Sequence, residues 1–450
     1  MASKGLMIAG LASGTGKTTV TLGLLRALAR RGKAPAAGKT GPDYIDSGFL
    51  SAAAGRKAVN LDQFAMSKPL LAHLATDQAG DTLIIEGVMG LFDGVSGNAG
   101  SSAALAEALD IPVILVMDIR HAAQTAAMIA AGIARLLPAG RIAGVILNHV
   151  ASPRHLALVS EALAAYQISL FGSVPSREGL AIPSRHLGLV QAADFDNAGV
   201  EQILDHAADL IDEYCDLDAI LDAAQKLPTA DKTVAAMPLP LTNPPAMKPP
   251  AKTIAVANDA AFGFAYHHLL TGWRQQGAEI RPFSPLNDEK PADDADFIFL
   301  PGGYPELHLP TLSENRQFLA GLTEAAKADI PIYGECGGYM VLGTGITDAS
   351  GDRFDMAGLL DVETSFANGK RHLGYRKFIP IDAFFWDGPF LGHEFHYTNV
   401  VSASGTPLFT VRDANDQPLG MAGLRKGSIA GSYLHIIAQR QLAQSQTTQG

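Results

Sequence analysis

Two stretches of this 450-residue chain carry residue types at spacings that could do chemistry. The first is GLASGTGKTT (residues 10–19), set between an apolar run and an amphipathic one. That strand–loop–helix order is what a phosphate-binding loop requires. Gly14 and Gly16 let the backbone turn tightly around Thr15, so that its N–H groups point at phosphate oxygens. Lys17 can then reach the β and γ oxygens, Thr18 can hold Mg²⁺, and Thr19 continues the turn into a helix. The usual first glycine, six positions before the lysine, is here Leu11, and the glycine is Gly10. The second stretch is PIYGECGGYM (331–340), where an apolar strand passes through Gly-Glu-Cys-Gly-Gly into a helical run. A thiol on such a turn is a candidate nucleophile, and a helix N-terminus would favour its thiolate. His435 in GSYLHI (431–436) follows another short apolar run and is a candidate base for Cys336. The glycines of LPGGYPE (300–306) follow a strand, so the N–H groups of Gly303 and Gly337 could form an oxyanion hole.

Two acidic clusters follow the phosphate loop. KTGPDYID (39–46) offers Lys39, Asp43, Tyr44 and Asp46 to phosphate or substrate. EGVMGLFDG (86–94) puts Glu86 at the carboxyl end of an apolar strand, with Asp93 in the loop beyond. In open α/β sheets ligands gather at the carboxyl ends of strands, and Mg²⁺ takes oxygen ligands from protein and nucleotide together. Thr18, Asp46 and Glu86 are therefore the candidate metal ligands, and Asn148, ending a strand, is placed to meet the nucleotide base. Arg177, Arg185 and His186 form a local basic patch suited to a polycarboxylate or phosphate. Cys215 lies in an acidic helical stretch, IDEYCDLDAI, whose carboxylates would oppose thiolate formation.

These residues need elements to position them. The runs at 6–10, 82–87, 111–118, 142–148 and 168–174 are rich in Ile, Val and Leu without alternation, as buried parallel strands are. After a linker the pattern restarts at 253–259, 278–284, 296–303 and 330–336. Strand–helix alternation on both sides predicts an α/β protein of two doubly wound domains. The boundaries read as 1–236, a Pro-rich linker at 237–252, 253–440, and a polar tail at 441–450. Residues 237–250 hold six prolines, which excludes a helix or sheet interior.

Composition narrows the setting. A net charge of −11 argues against nucleic-acid or anionic-membrane partners, which need a basic face. Two cysteines cannot build a disulfide framework, the apolar runs are shorter than a membrane span, and the N-terminus lacks a signal pattern. The expected location is cytoplasmic.

Taken in order, GLASGTGKTT, KTGPDYID, NLDQFAM, EGVMGLFDG, RHLGLV, FSPLND, PGGYPELH, YGECGGYM, GHEFHY and GSYLH resemble the cobyrinic acid / hydrogenobyrinic acid a,c-diamide synthases of cobalamin biosynthesis. The resemblance spans residues 10 to 435. It implies an N-terminal P-loop domain of the dethiobiotin-synthetase type and a C-terminal, flavodoxin-like class I glutamine amidotransferase domain. It implies an ATP-dependent ligase that phosphorylates the a and c side-chain carboxylates of a corrinoid and lets ammonia displace the phosphate. Cys336 would be the nucleophile and His435 its activating histidine. Lys17, Thr18 and Glu86 match the ATP–Mg²⁺ positions, and Asn148 the adenine-contacting Asn of dethiobiotin synthetases. The small-molecule partners would be ATP, L-glutamine and a corrinoid polycarboxylate, with Mg²⁺ as cofactor and a homodimer allowed. Two residues past His435, where many triad amidotransferases carry Glu, this chain has Ile437, which leaves Glu394 and His396 as substitutes. Ser47 and Phe64 also depart from the pattern. Other readings are a Ni-sirohydrochlorin a,c-diamide synthase, a cobyric acid synthase, and a P-loop ATPase switch joined to a non-catalytic amidotransferase domain.

Overall fold

The computed structural model describes residues 3–78, 80–176, 197–228, 247–382 and 384–440. The chain divides into two compact units, 1–245 and 246–450. The basic patch at 177–186, the RHLGLV motif, most of the Pro-rich linker and the tail at 441–450 lie outside the described residues.

The first unit alternates strands and helices: β1 (Lys4–Gly10), α1 (Lys17–Arg30), β2 (Pro35–Thr40), α2 (Tyr44–Ala54), β3 (Val59–Leu61), α3 (Lys68–Thr76), β4 (Thr82–Glu86) and α4 (Ser102–Ala108). It continues with β5 (Val113–Asp118), α5 (Gln124–Leu136), β6 (Ile142–Val150), α6 (Pro153–Ala165), β7 (Leu170–Pro175), α7 (Asn197–Tyr214), α8 (Leu217–Ala223) and β8 (Gln225–Lys226). Seven strands pair in parallel in the order β3-β2-β4-β1-β5-β6-β7, with β8 antiparallel on β1. The five apolar runs read as strands all appear. The sequence pattern missed β2 and β3, because PAAGKT has Thr40 as its one β-branched residue and no aromatic, and Val59–Leu61 is only three residues long. Pairing with β4 and full burial make β2 a strand regardless.

Helix α1 packs closely on α7: a Cβ on Gly23 would lie 2.4 Å from the Ala207 carbonyl oxygen. Along this contact Arg26 pairs with Glu201 and Asp205, Arg30 with Asp205 and Asp209, and Arg31 with Asp212. The carboxylates are well exposed, so each pair contributes only tenths of a kcal/mol, about 0.2–1.

The second unit opens in the same style, with β9 (Thr253–Ala257), α9 (His267–Gln275), β10 (Glu279–Phe283), β11 (Phe297–Leu300), α10 (Leu309–Glu314), α11 (Arg316–Lys327), β12 (Ile332–Glu335) and α12 (Gly337–Leu342). Phe262, Ile298, Leu300, Phe318, Ile332 and Val341 are buried in its core. Strands then follow almost without helix: β13 (Gly345–Thr347), β14 (Arg353–Asp355), β15 (Val362–Ser365), β16 (His372–Pro380), β17 (Phe390–His396), β18 (Asn399–Ala403), β19 (Thr406–Asp413), β20 (Pro418–Lys426), β21 (Ile429–Ser432) and β22 (Leu434–Gln439). The main sheet runs β10-β9-β11-β12-β21-β20-β19-β16-β17-β22, parallel from β10 to β21 and antiparallel beyond. A smaller sheet has the order β14-β13-β15-β18. The α/β class holds, and the antiparallel extension is an addition to it. Among the described residues no helix is long and apolar enough to cross a membrane.

Candidate active sites

The phosphate loop joins β1 to α1, and the helix begins at Lys17 itself. Gly16 caps the helix at φ 95°, a left-handed backbone, and a Cβ there would stand 2.2 Å from Nδ2 of Asn148. Only glycine meets both demands. Asn148, at the end of β6, donates through Nδ2 to the Thr15 carbonyl at 3.0 Å. It therefore braces the loop from beneath, a role the sequence did not suggest. Gly14 is also left-handed and exposed, Thr15 is buried, and Thr19 is half-buried on α1. Lys17 Nζ folds over the loop to donate to the Ala12 carbonyl at 2.8 Å. Burial lowers its pKa, against the pull of Glu86, Asp46 and Asp93.

Strands β2 and β4 are adjacent, with Lys39 opposite Glu86 in register. This pairing converts two distant sequence motifs into one cluster. Lys39 Nζ lies 2.6 Å from Asp46 Oδ2 and 3.3 Å from Glu86 Oε1, and all three groups are buried. Thr18 Oγ1 donates to Glu86 Oε1 at 2.6 Å. Burial opposes the Lys39 charge, but Glu86 and Asp46 outweigh it, so its pKa rises. Burial likewise raises Glu86, against Lys39 and Thr18. Glu86 Oε2 is buried without a hydrogen-bond partner among the described residues. An orphaned carboxylate oxygen beside a threonine hydroxyl and a second carboxylate fits a Mg²⁺ ion, which prefers such oxygen donors.

Asp43 is differently employed: its Oδ1 caps α2 through the N–H groups of Ile45 and Asp46. Tyr44 is the first, half-buried residue of that helix. Asn60 of NLDQFAM donates to the carbonyls of Gly41 and Asp43 at 3.0 and 2.9 Å, locking the loop that presents Asp46. Asp93 accepts from Gly90 N–H within its own turn.

In the second unit Cys336 sits between β12 and α12 at φ 47°, ψ −105°. A non-glycine residue held there is strained, which is the backbone a nucleophile turned out of its strand would need. The backbone is held by the Cys336 N–H, which donates to the Ser432 carbonyl at 2.8 Å. The turn after β11 passes directly beside it. A Cβ on Gly302 would lie 2.4 Å from His435 Cε1 and 3.3 Å from Cys336 Cβ, so both side chains flank that glycine. A Cβ on Gly337 would stand 3.1 Å from Gly303 N. The structure thus brings together Cys336, His435, Gly303 and Gly337, four residues drawn from three separate motifs.

The electrostatics correct one expectation. The thiolate is not favoured in the free protein: burial, then Glu306, push Cys336 well up, against the Gly337 N–H. Burial holds His435 well below its ordinary range. The resting pair is a neutral thiol beside a neutral imidazole, which can act as a base. Burial, rather than neighbouring carboxylates, raises the Cys215 thiol to about 12.

The carboxylate beside His435 is Glu335 rather than Glu394. Glu335, immediately before Cys336, reaches Oε2 to within 3.7 Å of His435 Nδ1, while its Oε1 accepts from Ile436 N–H at 3.2 Å. Glu394 instead holds Arg376 at 2.8 Å and His396 at 3.0 Å, and these outweigh burial to lower it to about 2. Glu335 was missed because it precedes the nucleophile in sequence and meets His435 only through the β12–β21 pairing.

Comparison with known proteins follows this division. Residues 6–190 match the CobQ/CobB/MinD/ParA nucleotide binding domain, and residues 253–443 the CobB/CobQ-like glutamine amidotransferase domain. A hydrogenobyrinate a,c-diamide synthase from Rhizobium meliloti (strain 1021) is 48% identical over 96% of this chain and 99% of its own. One from Rhodobacter capsulatus is 45% identical over 97% and 99%. The chain belongs to the hydrogenobyrinate a,c-diamide synthase family. Among solved structures, PurLQS from Thermotoga maritima overlaps 41% of this chain and 86% of its own at 16% identity, with a TM-score of 0.30. Membership joins a nucleotide-binding site and a glutaminase site in one amidating ligase, and the two clusters above fall one in each matched domain.

Proposed function

We propose that this protein amidates the a and c side-chain carboxylates of hydrogenobyrinate, using ATP and glutamine. The observation that carries the reading is the buried Cys336–His435 pair around Gly302, in a chain that also builds the Lys39–Asp46–Glu86 cluster against Thr18 of the phosphate loop. Full-length likeness to the diamide synthases supplies the substrate.

In the ATP half, a substrate carboxylate oxygen attacks the γ-phosphorus and ADP leaves, giving an acyl phosphate. The loop N–H groups and Lys17 neutralise the transferring phosphoryl group. Thr18, Asp46 and Glu86 would hold Mg²⁺, which supplies further charge neutralisation when bound. Lys39 keeps the two carboxylates close despite their mutual repulsion, and Asn148 sets the loop. In the glutamine half, His435 takes the Cys336 proton as sulfur attacks the amide carbon. Charge on the carbonyl oxygen falls to the Gly303 and Gly337 N–H groups. The proton then passes to the departing nitrogen, ammonia leaves, and water hydrolyses the thioester to glutamate. Glu335 stabilises the imidazolium that forms in between. Ammonia attacks the acyl carbon and phosphate departs.

The test is incubation of purified protein with ATP, glutamine and a panel of tetrapyrrole polyacids, counting amides by mass. Two amides on hydrogenobyrinate support the reading. Preference for cobyrinate or Ni-sirohydrochlorin moves the substrate within the class, and no mass change on any a,c-diacid refutes it. Cys336→Ser must lose glutamine use yet amidate with ammonium, and unchanged glutaminase would overturn the nucleophile assignment.

A further inference from the structure

Three carboxylates act on the Cys336 thiol: Glu306, Glu335 and Glu394. Two are occupied. Glu335 serves Ile436 N–H and His435, and Glu394 serves Arg376 and His396. Glu306 differs. Its side chain is half-buried, yet Oε2 has lost its water and has no hydrogen-bond partner among the described residues. Burial raises it to about 8, against its own backbone N–H.

Its place in the fold says what it faces. Glu306 lies on the short turn Pro305–Leu307, three residues after Gly303. The Pro305 ring stands against the nucleophile turn, since a Cβ on Gly337 would meet Pro305 Cδ at 2.8 Å. One turn therefore carries an oxyanion N–H and, just beyond, an unpaired acid felt at the sulfur. A buried acid without a partner is costly unless a cation arrives with the ligand. Glutamine carries one cation, its α-ammonium, a short aliphatic chain away from the amide that Cys336 attacks.

We infer that Glu306 is the group that receives the α-ammonium of glutamine and so selects the amino-acid amide over simple amides. The inference rests on Cys336 being the glutaminase nucleophile. If that fails, the parent protein shows no Cys336-dependent glutaminase at all, a distinct result.

The experiment compares parent and Glu306→Gln in steady-state glutaminase assays. Glutaramate, which is glutamine without its α-amino group, serves as competitive inhibitor. A hydrogen bond to a charged group lost in a buried site predicts a fall in kcat/KM for glutamine of about 10- to 100-fold, mostly in KM. The inhibition constant of glutaramate should change less than about threefold, because it makes no such bond. Ammonium-dependent amidation and the melting temperature report that the variant is folded. Equal weakening of glutamine and glutaramate would overturn the inference, as would a fall confined to kcat or no change in KM.

Discussion

Lys39 is the hinge of the ATP-side cluster, and replacing it with methionine tests how that cluster is held. The methionine keeps most of the volume and removes the charge. At an effective dielectric near 20, attraction is roughly 6 kcal/mol to Asp46 at 2.6 Å and roughly 5 kcal/mol to Glu86 at 3.3 Å. Most of this offsets the cost of burying three ions. What the variant loses is the compensation of two carboxylates, about 3–5 kcal/mol when a buried pair is broken. For a unit of this size that corresponds to a fall of about 6–20 °C in the first unfolding transition. The sign with pH follows from linkage. Lys39 opposes the burial that raises Glu86, so without it the folded pKa of Glu86 lies further above the unfolded one and the folded variant binds an extra proton. Its deficit against the parent is therefore small near pH 5 and grows as pH rises towards 8. Thermal scans by circular dichroism at both pH values make the measurement. A drop under about 2 °C, or one equal at both pH values, would refute the reasoning.

Other outcomes follow from the same geometry. Gly16→Ala must hold a left-handed alanine, costing about 1–2 kcal/mol before any clash with Asn148; calorimetry should find nucleotide affinity weakened about tenfold or more, with glutaminase intact. Glu335→Gln should lower glutaminase kcat by roughly 10²-fold and flatten its pH profile. In the parent, kcat should rise as pH passes about 8, where burial places the Glu335 carboxyl, because only the carboxylate stabilises imidazolium. A parallel shift of the whole profile would count against this role. In the folded protein a glutamine-mimicking electrophile should label Cys336 alone, and Cys215, raised to about 12, should react only on unfolding, as peptide mass mapping would reveal.

The sequence by itself determined the local chemistry. A glycine-rich turn between an apolar run and a helix can be read as a phosphate loop because its function is carried by consecutive backbone atoms. Gly-Glu-Cys-Gly-Gly reads as a candidate nucleophile turn for the same reason, and the buried parallel strands are legible because their apolar runs are continuous. What pairing across the sheets decides is invisible in the chain order. Lys39 meets Glu86 because β2 lies beside β4, although PAAGKT does not look like a strand. Glu335 reaches His435 because β12 pairs with β21, one residue before β22 begins. Asn148 became a brace for the phosphate loop, and Glu394 was claimed by Arg376, each through contacts between residues far apart in sequence. Burial is the other tertiary decision. It makes Cys336 and His435 a neutral pair and leaves Glu306 without water, and neither follows from residue type, because the charge state of a group depends on what surrounds it.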